Sequence, residues 1–140
     1  MSTGLVLTAA YLLAGVASPA TLEVDVERVR SARGLIHACL SRDPLHFPDC
    51  RSDPAALTLS VPASQARLRF SGLAPGRYAL TLFHDENGNR KLDTLLGIPR
   101  EGFGFSRNPA VRFGAPRFNQ VAIVLDGGIN RQTLRMQYLL

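Results

Sequence analysis

Oxygen-bearing side chains recur at every second position along Asp85-Glu86-Asn87-Gly88-Asn89, and another follows at Asp93. A hard cation such as calcium is held by oxygens clustered on a tight, glycine-assisted loop. Asp85, Asn87, Asn89 and Asp93 can each offer a side-chain oxygen, and Lys91 a backbone carbonyl, in the spacing of the first positions of an EF-hand loop. Arg90 stands where the turn glycine belongs, and Leu96 where the bidentate glutamate belongs. A calcium site here is expected to be weak, ~10⁻⁴ to 10⁻³ M. The competing expectation is a plain loop in which Asp and Asn side chains cap their own backbone.

Two further sets of residues could do chemistry. His84 precedes Asp85, and Ser106 lies downstream, so a His–Asp–Ser trio is conceivable, although no G-x-S-x-G elbow surrounds the serine. The alternative is a histidine that anchors the loop through hydrogen bonds. His37 and His46 are isolated in sequence and form no zinc motif. The stretch from Gly97 to Phe118 is rich in glycine and aromatics, with Phe103, Phe105, Phe113 and Phe118. It reads either as a lid that buries its rings on the core, or as a ligand groove. That groove would use His84, Glu101, Phe103, Phe105 and Arg107 to take a peptide, glycan or lipid. Glu101 and Arg107 can also simply pair with each other.

These residues need a scaffold, and alternation supplies one. Leu22, Val24 and Val26 alternate with Glu23, Asp25 and Glu27, as in a strand with one wet face. Residues 34–40 are apolar on both faces. Further strands are expected over 57–61, 67–70, 77–84, 121–125 and 133–139. Pro75-Gly76 predicts a type II turn, with positive φ at Gly76. About seven short strands, with no convincing amphipathic helix, predict a single all-β sandwich of antiparallel strands. The aromatic–glycine stretch becomes a long loop packed on it.

Composition narrows the setting. The chain has 140 residues, 46% of them hydrophobic, which fits one globular domain. Residues 5–16 are apolar and uncharged, and Ala17-Ser18-Pro19-Ala20 follows. This pattern predicts a signal peptide over 1–20, cut before Thr21, and a mature domain over 21–140 without a transmembrane span. No Lys or Arg precedes the run; a membrane anchor and a buried helix are the alternatives. Cys39 and Cys50 are expected to pair in an oxidising compartment rather than remain two buried thiols. Net charge is +5, and all but one of the 16 basic residues are arginine, but they are scattered. Nucleic-acid binding is therefore not expected.

Three stretches together resemble one family. They are GRYALTLFHDENGNRKLD at 76–93, LGIPREGFGFSRN at 96–108 and FGAPRF at 113–118. The chain is similar, from about Leu22 to Tyr138, to the small exported bacterial proteins of domain of unknown function 2141. The resemblance implies export to the periplasm or beyond and no assigned activity. Gly72-Leu-x-Pro-Gly-x-Tyr78 is also similar to transthyretin-like and carboxypeptidase-regulatory-like sandwiches, which mostly bind or stabilise. The family commonly carries a second glycine in the acidic loop, where this chain has Arg90. The expectation is a monomeric, non-catalytic module of the cell envelope that binds an unidentified partner, with calcium as its one candidate cofactor. The rival readings are an envelope hydrolase using His84 and nearby carboxylates, and an assembly partner that adds strands at its sheet edges.

Overall fold

The computed structural model describes residue 15 and residues 17–140. The expected signal peptide lies largely outside the described residues. The chain forms β1 (Ala20–Glu27), β2 (Leu35–Ser41), β3 (Leu57–Pro62), β4 (Arg67–Leu73), β5 (Gly76–Asp85), β6 (Thr94–Leu95), β7 (Ile98–Pro99), β8 (Gly102–Phe105), α1 (Phe118–Val121), β9 (Ile123–Leu125) and β10 (Gly128–Arg135). One sheet has the order β10-β1-β4 and a second the order β3-β2-β5-β8; β9 pairs with the start of β5, and β6 and β7 form a small hairpin. No described helix is long and apolar enough to cross a membrane.

The alternation read in β1 places Leu22, Val24 and Val26 in the core and its acids outside. There Glu23 meets Arg69 and Arg131, and Glu27 meets Arg135. From the opposing sheet, Ile36, Leu40, Leu80 and Leu82 are almost wholly buried in the same core. Each such side chain contributes roughly 1.5–3 kcal/mol by leaving water. β1 and β10 pair in parallel, unlike the all-antiparallel expectation, with Ala20 opposite Gly128 and Glu27 opposite Arg135. Ala20, one residue before the expected cleavage point, already belongs to β1 and is buried.

The region expected to be one long loop contains regular structure. β8 lies beside β5, with Phe103 opposite Phe83 and Phe105 opposite Thr81. Its two phenyl rings point to the outer face of the five-stranded sheet. Gly102 and Gly104 point inward, and a Cβ on Gly102 would sit 2.6 Å from Cζ of Tyr138. The strand expected over 121–125 starts with a turn of helix, because Gln120 reaches back to accept the Arg117 N–H at 2.8 Å. The last strand ends at Arg135 rather than 139. Gly76 has a φ of +149°, outside the +80° of a type II turn, while Gly72, at +67°, lies within β4 where its register against β1 shifts.

A second apolar cluster covers that outer face. Phe103, Phe105, Phe118, Ala79 and Val121 form it, and Phe47 packs on them from the β2–β3 connection. The Phe47 ring stands edge-on to Phe105 at 6.1 Å and to Phe118 at 5.9 Å. Cys39 and Cys50 are bonded, as expected, and tie this connection to β2. Replacing both cysteines with serine should cost about 3 kcal/mol, the worth of closing a loop of this length. Calorimetry should show a melting temperature lower by roughly 10 °C, with the strand spectrum retained because the main core does not include the bridge.

Candidate functional site

β5 delivers Asp85 to the head of the acidic loop with its side chain fully buried. Its carboxylate accepts the N–H of Asn89 at 3.1 Å, the N–H of Arg90 at 2.8 Å and His37 Nε2 at 2.9 Å. Burial opposes its ionisation. The bonds from His37 and from the Arg90 and Asn89 amides outweigh burial and hold the carboxyl below the usual carboxylate range. Arg90, in place of the expected glycine, adopts φ +61°, which a glycine would reach without strain.

The loop's remaining polar groups are spent on the loop itself. Asn87 Oδ1 accepts the Asn89 N–H, and Asn89 Oδ1 accepts the Lys91 N–H. Those bonds fix both amides so that their nitrogens face Asp93, each donating to its carboxylate at 2.8 Å. Two of the oxygens counted for calcium therefore face backbone N–H groups, and nitrogens face Asp93. Glu101 closes the ring from outside. Its two carboxylate oxygens accept the N–H of Glu86 and of Asp93, both at 3.2 Å, so it ties the two ends of the loop together. The geometry is that of a self-capped loop.

Beyond this loop the β6–β7 hairpin forms one wall of a cleft of about 580 Å³. Thr81, Phe83, Phe103 and Phe105 floor it, on the outer face of the five-stranded sheet. Leu92, Leu96 and Ile98 line the hairpin wall, and Val111, Arg112 and Phe113 the opposite one. Among the described residues, Arg112 is its one charged lining residue, and no acid or cysteine thiol lines it. Such a cleft holds an apolar group by burial and orients a charged end with the arginine.

The structure gathers only part of the groove expected from the sequence. Phe103 and Phe105 are in its floor, while Glu101 lies behind the loop and Arg107 stays outside, donating to the Asn119 carbonyl at 3.3 Å. Arg107 and Glu101 do not pair. Phe113 is 98% exposed, against the expectation that its ring is buried; Phe118 is buried as expected. A turn bracketed by Arg112 and Gly114 holds Phe113 away from the core.

His84 is buried, not in the groove. Its Nε2 meets the Arg33 carbonyl at 2.7 Å and its Nδ1 the Tyr138 hydroxyl at 2.9 Å. A carbonyl only accepts, so Nε2 carries the proton and Nδ1 accepts from the tyrosine. Burial and the nearby Glu86 charge raise the Tyr138 hydroxyl above its ordinary pKa, which keeps that proton in place. Neither nitrogen is free to take a proton from a substrate. Ser106 is likewise committed: its hydroxyl accepts the Leu80 N–H and donates to the Val121 carbonyl, joining α1 to the sheet. Asp85 pairs with His37 rather than His84, so the conceivable trio is not assembled.

Sequence reading missed the role of His37, whose position between Phe83 on β5 and Ser60 on β3 depends on register. It also missed the hairpin wall, although Leu95-Leu96 between turn residues carried the signal of exposed apolar side chains. Asp43, His46 and Asp53 form the one close set of metal-type side chains among the described residues. Their carboxylates already accept the Leu45 and Ala55 N–H groups and the Ser41 hydroxyl, which organises the disulfide-closed connection.

A family model described as "Uncharacterized protein conserved in bacteria (DUF2141)" matches residues 24–133. No curated protein and no solved structure matches the chain significantly.

Proposed function

We propose, for a chain that belongs to the bacterial family DUF2141, a non-catalytic role in the cell envelope: binding an amphiphile with an aliphatic chain and an anionic head. The observation that carries this reading is the apolar cleft over Phe83, Phe103 and Phe105 with a cation, Arg112, at its wall. The aliphatic chain lies on the phenyl rings and the anionic head meets the guanidinium, which binds carboxylate or phosphate in a fork. The acidic loop sets the position of the hairpin wall, since Glu101 and Asp85 hold its two ends. Export is supported by the leader-like N-terminal sequence and by the cysteine pair.

The test is a titration with a fluorescent conjugated fatty acid. Saturable enhancement with a micromolar-range Kd is expected, on the order of −8 kcal/mol. Thr81→Trp, which fills the floor, should weaken it at least tenfold, and Arg112→Gln should weaken the acid more than the matching alcohol. A flat titration, or one indifferent to Thr81→Trp, removes the cleft from the account.

A further inference from the structure

We infer that the two rims of this cleft form a membrane-docking surface, and that the domain seats them on a bilayer rich in anionic lipid. Leu96 and Phe113 are the tips of two separate loops, 95% and 98% exposed. Both line the same cleft, so they stand on one side of the molecule. Leu95 and Ile98 add further exposed apolar surface to the hairpin. Isolated exposed leucines are ordinary, but large apolar side chains gathered around one opening mark an interaction site.

Backbone conformation supports the same conclusion. Leu96 is held at φ +50°, a region that a residue with a Cβ enters at a cost. Gly97 beside it takes φ +78°, so the pair forms the two-residue turn that closes the β6–β7 hairpin and fixes the leucine at its tip.

Charge selects the occupant. Arg100 follows the hairpin wall, Arg112 precedes Phe113 and Arg117 follows it by four residues; all three are exposed and none makes an ion pair among the described residues. Over residues 90–117 the acids are Asp93 and Glu101, and both accept bonds from the acidic loop. Apolar tips flanked by free cations match a bilayer interface, where side chains enter the acyl boundary and guanidinium groups meet phosphates. The cleft between the tips then opens toward the acyl layer. This inference goes beyond the cleft reading, because docking does not require that the cleft be filled.

The chain has no tryptophan, so Phe113→Trp gives a single reporter at one tip. With vesicles of phosphatidylcholine mixed with phosphatidylglycerol, its emission should shift to the blue and be quenched by brominated acyl chains. Cosedimentation of the unaltered chain should be at least tenfold stronger on these than on phosphatidylcholine alone, and should weaken as salt rises. Leu96→Ser and Arg112→Glu should each cut it severalfold without moving the melting temperature, because both side chains are exposed. No binding to any vesicle, or binding indifferent to Leu96→Ser, overturns the inference. So does a dimer that dissociates in Leu96→Ser, which would assign the face to a second copy. Thr81→Trp separates the two proposals: it should weaken fatty-acid binding at least tenfold and leave vesicle binding intact.

Discussion

Replacing Asp85 with alanine should lower the unfolding free energy by on the order of 3 kcal/mol, and the melting temperature by roughly 10 °C. The carboxylate is fully buried and accepts from the Asn89 and Arg90 amides and from His37. Bonds to a charged group contribute about 1.5–3 kcal/mol each, but the two amides lie in a partly exposed loop where water replaces some of that. Asp85→Asn keeps an acceptor and should lose about half as much. The native carboxyl binds its proton less readily than the unfolded one, so its contribution is present above the unfolded pKa of about 4 and disappears as pH falls through the native value. Glu86, held down by Arg30 and Ser31 against its burial, acts in the same direction. Melting curves taken downward from pH 6 should therefore fall below about pH 4, and less steeply in Asp85→Ala.

The same variant decides what holds the loop. If its own hydrogen bonds suffice, melting in chelator and in millimolar calcium should coincide. A rise with calcium that vanishes in both Asp85→Ala and Asp93→Ala would instead put an ion among these oxygens. Either way, Asp85→Ala should weaken fatty-acid binding, because the loop leads directly into the Leu92–Ile98 wall of the cleft.

What could be read from the sequence follows from the range of each interaction. Alternation made β1 and β5 legible, because a strand's two faces are encoded every second residue. The cysteine pair was legible from its count and short spacing. The parallel pairing of β1 with β10 was not, since it joins residues over a hundred positions apart and leaves no local trace. β8 was hidden because glycine is a poor strand former; its Gly-Phe-Gly-Phe pattern makes sense only once Tyr138 is seen against the glycine face. The site divided in the same way. Phe103 and Phe105 were identified by type, but Phe113 has the same side chain and points to water. Glu101 looked like a partner for Arg107, and its actual partners are two backbone amides that sequence does not display.

Gly34→Ala should be at least as damaging as Asp85→Ala, about 3–5 kcal/mol, although the residue is exposed and distant in sequence from the loop. Gly34 sits just before β2 at φ +70°, where an added Cβ costs about 1–2 kcal/mol. The new atom would also overlap the Asp85 carbonyl oxygen and lie 2.9 Å from both its carbon and Cα of Glu86. These are backbone atoms, so no rotamer relieves the contact. Nor can Gly34 retreat freely, because its own carbonyl accepts the Ala63 N–H at 3.0 Å. Relief must come from parting β2 and β5 where Leu35 pairs with Asp85, and that separation pulls His37 from the Asp85 carboxylate. The two substitutions thus break one shared assembly. In a double-mutant cycle by denaturant unfolding, Gly34→Ala with Asp85→Ala should fall short of the sum of the single effects by at least 1 kcal/mol. Strict additivity would mean that the glycine's close approach and the carboxylate's bonds act separately, and that the loop is not held in place by β2.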